Sequence, residues 1–420
     1  MDLEITPGKL SGTINICSSK SVLHRQIICA SLSDGKTEIY YNGLPDDVKA
    51  TLDCVGKTLC DHSADGKKIT IFPKNKKIQN AKAECGGSAS TLRFLLPVFS
   101  ALGTECTFLL DDSLSKRPHK DLTDLLNEHG ASIRCEENTV KISGKIKSGT
   151  YKIDGSISSQ YISGLMFALP LLDSDSTVII ENGVVSYPYI NLTKNILESF
   201  GVKCEIKDGK IKIQGNQRYI SNGTVFAEGD YSSGAALLVS GAFSEKGLTV
   251  KGLSLDSKQG DKAICDILRK AGADIEQNQN SVFVKKNQLN CFSADLTDTP
   301  DLFPTMAVLA AFCRGESELC GISRLSFKES DRVKEVGRLL DLLNVSYDLR
   351  DEKMYIQGIE KSKGGFSFGS HDHRMIEAAA VSSCMCVDRV SLKNAGCVSK
   401  SYVDFFGDFE RLNGKVKEIG

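Results

Sequence analysis

The residues best able to do chemistry in this sequence fall in short polar clusters. SSKSVLHR (18–25) sets Lys20, Ser21 and Arg25 around a Ser-rich helix start. Ser hydroxyls and backbone N–H groups hold phosphate, and the two cations neutralise it. CGGSASTLRF (85–94) is a Gly/Ser loop leading into an apolar helix, with Arg93 one turn in. Its small residues let a ligand approach the backbone, yet GxxxxGK[ST] is absent, so it is not a P-loop. KRP (116–118) puts Arg117 in a loop. GSISSQYISG (155–164) lines up Ser158, Ser159 and Gln160, a row suited to a polyhydroxylated, phosphorylated ligand, and SYPYI (186–190) adds Ser186 and Tyr189. FKESDRVKEVGRLL (327–340) is the densest in charge, with Lys328, Glu329, Asp331 and Arg332 close together. Read as a helix, it puts Lys328 and Arg332 on one face at i, i+4, which costs energy unless an anion sits between them. In DTPDLFPTMAVLAA (298–311) and SHDHRMIEAAAV (370–381), Asp301 and Asp372 open apolar helices, as cap or as base. Arg374 follows two residues after Asp372.

Each cluster also has a plainer reading, as a helix cap, a solvated basic face, a salt-bridged surface helix or a Pro turn with a packed Tyr. Caps alone do not require Lys20, Arg25, Arg93, Gln160 or Arg374 beside them.

The elements that must position these clusters recur along the chain. An apolar helix-like run ends at Gly or Asn and is followed by a strand, a polar turn and a second strand, as in 125–144, 196–215, 267–286 and 339–358. The cap residues Gly130, Gly201, Gly272 and Asn344 are spaced by 71, 71 and 72. Gly56 lies 74 before the first and Gly414 lies 70 after the last. The last unit stops after one strand, so residues 2–5 are expected to complete it. The polar clusters run in phase, marked by Ser18, Ser88, Ser158, Ser232, Asp301 and His373 at steps of 70, 70, 74, 69 and 72. Six units fit two similar domains of three. If equivalent helices run parallel, their N-termini gather at one end and favour anions.

Lys plus Arg total 52 and Asp plus Glu total 53, a net charge of −1. This balance argues against a nucleic-acid coat or a polybasic membrane binder. With 41% hydrophobic and 25% charged residues the chain is not a disordered one. Met1–Glu4 is acidic, so no signal peptide is expected, and Phe94–Leu102 and Met306–Phe312 are far short of a membrane span. The 15 cysteines include no CxxC, and the closest pair is Cys384 and Cys386. They read as small buried hydrophobes in a reducing cytoplasm, without a zinc site.

In this order the clusters resemble the 5-enolpyruvylshikimate-3-phosphate synthase family along the whole length. SKSxxxR, the loop ending in LR, KRP, SSQ, EGD, PD, KESDR, DHR and SKSY (399–402) carry the resemblance, KESDR with DHR most specifically. It implies an α/β fold, a two-domain inside-out α/β barrel of six βαβαββ repeats, three per domain, with strands inside and helices outside. Residues 1–16 and 229–420 would form one domain and 17–228 the other, with the ligand cleft between them.

The implied reaction transfers the enolpyruvyl group of phosphoenolpyruvate to the 5-hydroxyl of shikimate 3-phosphate and releases phosphate, in the shikimate pathway to chorismate and aromatic amino acids. By family match Lys20, Ser21, Arg25, Ser158, Ser159, Gln160, Ser186, Asp301 and Lys328 hold shikimate 3-phosphate. Lys20, Arg93, Arg117, Gln160, Arg332, Arg374 and Lys400 hold phosphoenolpyruvate. Asp301 takes the 5-hydroxyl proton, Glu329 or Lys20 handles the proton at C3, and Asp230 supports the site. No metal, organic cofactor, nucleic acid or membrane is implied, and a cytoplasmic monomer is expected.

Ala89 stands where this family usually has Gly. Its methyl should project towards the phosphoenolpyruvate pocket, so the slightly longer inhibitor glyphosate is expected to act weakly. Val403 stands where Pro is common, beside Lys400. The sister transferase acting on UDP-N-acetylglucosamine usually carries a reactive Cys in the loop that here reads DDSLSKRPHKD (111–121). A non-catalytic relative would be expected to lose Lys20, Asp301, Glu329 or Lys400, and all are present. Six repeats fill the chain, so no further domain is expected.

Overall fold

The computed structural model describes residues 1–74 and 80–419. The chain forms two compact units, Met1–Ser19 with Glu228–Gly420, and Lys20–Ala227. The first passage falls after Ser19, not after residue 16. Ser18 bridges to Gly229, and the Ser19 N–H donates to the Glu228 carbonyl at 2.8 Å, which ties both serines to the discontinuous unit.

Among the described residues there are six four-stranded sheets. One serves for all. Ala81–Gly86 runs parallel to Cys106–Leu110, which pairs antiparallel with Thr139–Gly144, which pairs antiparallel with Ala131–Glu136. Every sheet is open, so what recurs is three separate sheets in each unit and not a closed barrel wall. Strands distant in sequence complete several of them. Leu3–Thr6 lies between Val390–Lys393 and Lys415–Glu418, the place left vacant by the truncated last repeat. Thr224–Phe226 joins Thr37–Tyr40, and Gly12–Asn15 joins Leu248–Lys251.

The expected placement of strands inside and helices outside is reversed. All nine residues of the Phe303–Ala311 helix and all ten of His373–Ser382 are buried. Lys20–Leu32, Ala89–Leu102, Ser159–Ala168 and Tyr231–Ala242 are buried along most of their length. A helix apolar on every side has no face for solvent and goes to the centre. The sheets alternate instead, as in Ala81–Gly86, where Ala81, Ala83 and Cys85 are buried and their neighbours are not. One face of each such sheet packs on the core and the other meets water.

Gly130, Gly201, Gly272 and Asn344 take φ of 111°, 78°, 91° and 59°, the left-handed turn that ends a helix. The outlying marks differ. Gly56 lies inside the Asp46–Thr58 helix, and Asn413 at φ 70°, not Gly414, turns the chain at the last one. Ser88 and Ser158 cap their helices, whereas Asp230 and Asp372, rather than Ser232 and His373, are the caps of theirs.

Candidate active site

In the Lys20–Ala227 unit, polar residues gather at helix starts. Lys20 opens the Lys20–Leu32 helix, and its Nζ lies 3.0 Å from Asp47 Oδ2. Thr91 Oγ1 donates to the Asp47 carbonyl at 3.4 Å, which brings the start of Ala89–Leu102 alongside. Ala89 is the first residue of that helix and is buried. Arg93, one turn in, donates from Nη1 to Gln160 Oε1 at 2.8 Å and to Ser158 Oγ at 3.5 Å. Its Nη2 donates to the Pro118 carbonyl at 2.9 Å, tying it to the loop that carries Arg117. Gln160 donates from Nε2 to Ser90 Oγ at 2.9 Å. Ser159, buried on the first turn of its helix, follows Ser158.

Arg93 is held by its backbone as well. Pro97 has no N–H for the Arg93 carbonyl four residues earlier. Gly164 packs against that carbonyl so closely that a Cβ would come to 2.2 Å. His119, whose Nε2 is 2.9 Å from the Leu114 carbonyl, is pulled down to about 4 by burial, with Arg93 and Arg117 adding to the effect. It is therefore neutral at pH 7.

Arg25 is buried deeper. Nε donates to Thr193 Oγ1 at 2.8 Å, Nη1 to the Ser21 carbonyl at 2.7 Å and Nη2 to the Tyr189 carbonyl at 3.3 Å. Burial lowers it to about 10, so it stays charged at neutral pH. Ser186, just before the Tyr187–Ser199 helix, sits at φ 56°, ψ 43°. A non-Gly residue there stores about 1 kcal/mol of strain or more, which is common at ligand sites.

In the discontinuous unit the centre is Arg332, 1% exposed. Its Nη1 donates to Asp301 Oδ1 at 2.7 Å, Nη2 to Glu329 Oε2 at 3.2 Å, and Nε to Asp372 Oδ2 at 2.8 Å. Lys328 Nζ lies 3.8 Å from Asp301 Oδ1, and Lys400 Nζ lies 3.9 Å from Glu329 Oε1. Three carboxylates thus face three cations. Burial would raise the Asp301 carboxyl, but Arg332, Lys328 and Arg374 outweigh it and hold it well below the usual range. Burial lowers Lys328 to about 8, with Asp301 opposing and Arg332 adding. Burial would also lower Arg332, but Asp372, Asp301 and Glu329 keep it charged.

Several sequence readings change here. Lys328 is not on a helix with Arg332, because the helix begins at Arg332 itself and Asp331 caps it. The anion between those two cations is the protein's own Asp301. Asp301 is not a helix cap either, since Leu302 precedes Phe303–Ala311 without a side-chain cap bond. Arg374, 1% exposed, donates from Nη1 to Glu377 Oε2 at 2.9 Å and to Ser233 Oγ at 3.4 Å. Asp230 accepts from the Ser232 and Ser233 N–H groups as a cap. Sequence reasoning did not single out Asp47, His119 or Glu377. Glu377 carried a signal, as a lone charge in an apolar run, which burial allows only with a partner.

Among the described residues, no group of three or more His, Cys, Asp or Glu could hold a metal ion. No helix among them is long and apolar enough to cross a membrane.

Residues 5–409 match the family model described as EPSP synthase (3-phosphoshikimate 1-carboxyvinyltransferase). Relatives with that second name include one from Clostridium novyi (strain NT), 35% identical over 430 residues, covering 99% of this chain and 98% of the relative. Another, from Clostridium kluyveri, is 36% identical over 421 residues, with the same coverage of 99% and 98%. A solved EPSP synthase from Acinetobacter baumannii superposes with a TM-score of 0.83 at 22% identity, covering 99% of this chain and 100% of that one. The enolpyruvyl transferase NikO from Streptomyces tendae gives 0.81 at 15% identity, covering 99% and 98%. Those two likenesses concern the fold alone.

Proposed function

The chain belongs to the EPSP synthase (3-phosphoshikimate 1-carboxyvinyltransferase) family, whose members move the enolpyruvyl group from phosphoenolpyruvate to shikimate 3-phosphate in the shikimate pathway, and we propose that the two residue groups above bind its substrates. Lys20, Ser21, Arg25, Ser158, Ser159, Gln160, Ser186, Asp301 and Lys328 hold shikimate 3-phosphate. Lys20, Arg93, Arg117, Gln160, Arg332, Arg374 and Lys400 hold phosphoenolpyruvate.

The observation that carries this reading is the Arg332 cluster. Arg332 spends its donors on Asp301, Glu329 and Asp372. A phosphoenolpyruvate carboxylate taking over one edge of Arg332 would loosen its hold on Asp301 and make Asp301 more basic. Asp301 then accepts the 5-hydroxyl proton as that oxygen bonds to C2 of phosphoenolpyruvate, and C3 gains a proton from Glu329 or Lys20. The tetrahedral intermediate loses phosphate by breaking the C2–O bond and gives up a C3 proton, leaving the enolpyruvyl ether. Exclusion of water would strengthen every charge–charge interaction in the site.

The Ala89 methyl is part of the proposal, as the group that crowds glyphosate more than phosphoenolpyruvate. All 15 cysteines are free, in keeping with a reducing compartment, and a cytoplasmic, monomeric enzyme is part of the proposal. The test is phosphate release by the purified protein with phosphoenolpyruvate, with and without shikimate 3-phosphate. Release that needs both substrates is expected. Release with UDP-N-acetylglucosamine in place of shikimate 3-phosphate would defeat the reading.

A further inference from the structure

A second buried ion pair adjoins the Arg332 cluster through Asp372, which accepts from Arg332 Nε and, at its Oδ1, from the Arg374 backbone N–H at 3.0 Å. Glu377 is one turn after Arg374 on the His373–Ser382 helix and is 0% exposed. Its Oε2 accepts from Arg374 Nη1 at 2.9 Å. Glu377 Oε1 and Arg374 Nε are both buried without a hydrogen-bond partner. An under-satisfied buried pair costs energy, and an apolar side chain among Ala378, Ala379 and Ala380 would avoid that cost. The charged and titratable groups facing Glu377 are Arg374 and Asp372 on its own helix and its cap, Asp230 at the start of Tyr231–Ala242, and Cys17, Cys397 and Tyr402. Arg374 is the cation among them. Burial pushes the Glu377 carboxyl up to about 7, with Arg374 opposing and Asp230 and Asp372 adding.

We propose that Glu377 is a positioning residue, the resident counter-anion of Arg374, so that phosphoenolpyruvate competes with its charge and its binding draws a proton onto Glu377. This rests on the reading of Arg374 as a phosphoenolpyruvate ligand. Two carboxylates sharing one guanidinium repel each other, and protonating the internal one relieves the repulsion. By linkage, whatever favours the protonated form of Glu377 favours substrate. Glu377→Gln keeps the shape and an acceptor for Nη1 but removes the charge.

The test is the rate of phosphate release by the full chain at saturating shikimate 3-phosphate, with phosphoenolpyruvate varied from pH 6 to 8.5. In the unaltered protein the KM for phosphoenolpyruvate should rise as pH climbs through about 7, the reverse of what the ligand's own phosphate ionisation would cause. At pH 8 Glu377→Gln should lower that KM by ~3- to 10-fold and leave kcat within about two-fold, because one opposing charge is gone. The KM for shikimate 3-phosphate should not move, and the pH dependence of the phosphoenolpyruvate KM should flatten. A flat profile in the unaltered protein overturns the inference even if the variant does not fold. So does a Gln variant with an unchanged or raised KM. If the unaltered protein releases no phosphate with both substrates present, the functional reading itself fails and takes this inference with it.

Discussion

Asp301 Oδ1 accepts from Arg332 Nη1 at 2.7 Å, so the proposed base and a proposed substrate cation neutralise each other. The pair helps the Arg332 guanidinium to tolerate its burial. In the proposed mechanism, substrate that draws Arg332 away would raise the basicity of Asp301.

Arg332→Met leaves Asp301, Glu329 and Asp372 without their shared partner. Breaking a buried ion network in this one-sided way costs about 3–5 kcal/mol. Urea unfolding should show that loss, together with a kcat/KM for phosphoenolpyruvate reduced at least ~100-fold. A variant as stable as the parent would mean that the three carboxylates find other partners.

Lys328, lowered to about 8, is charged below that pH and neutral above it. If it helps to hold shikimate 3-phosphate, kcat/KM for that substrate should fall above pH ~8 by up to ten-fold per unit. Lys328→Arg should carry the basic limb upward, because guanidinium keeps its proton. A pH profile unchanged in Lys328→Arg would remove Lys328 from the site.

Gly164→Ala would drive a methyl into the Arg93 carbonyl, 2.2 Å from the ideal Cβ position. The helices must move apart, at about 1–3 kcal/mol. Thermal unfolding should show this, with a raised KM for phosphoenolpyruvate because Arg93 shifts. A normal KM would mean that Arg93 does not reach that ligand.

Ala89→Gly should tighten glyphosate inhibition at least ~10-fold, the order of effect of one methyl in a filled pocket, with the KM for phosphoenolpyruvate nearly constant. An inhibition constant that does not change would show that the methyl points elsewhere.

The recurring units were legible because a left-handed helix end needs Gly or Asn, which left Gly130, Gly201, Gly272 and Asn344 at even spacing. The vacancy in the last repeat pointed to Leu3–Thr6 for the same reason. The layering differs from the expectation although the sequence carries its signal, since the Phe303–Ala311 helix offers no polar face to water. The polar clusters fell at helix starts as spacing suggested, but their partners lay far off in sequence. Nothing local ties Arg332 to Asp372, 40 residues on, or Lys20 to Asp47, 27 residues on. Lys328 lies outside the helix because the Asp331 cap starts it at Arg332, one turn later than the charge spacing suggests.

The most direct test of Asp301 as the base held by Arg332 is the turnover of Asp301→Asn beside its affinity for shikimate 3-phosphate. Loss of a general base predicts a kcat lower by ~100- to 10,000-fold. Affinity for shikimate 3-phosphate should stay within a few-fold, because Asn can still hydrogen-bond the 5-hydroxyl. A kcat close to that of the unaltered protein would contradict the assignment and place the base elsewhere.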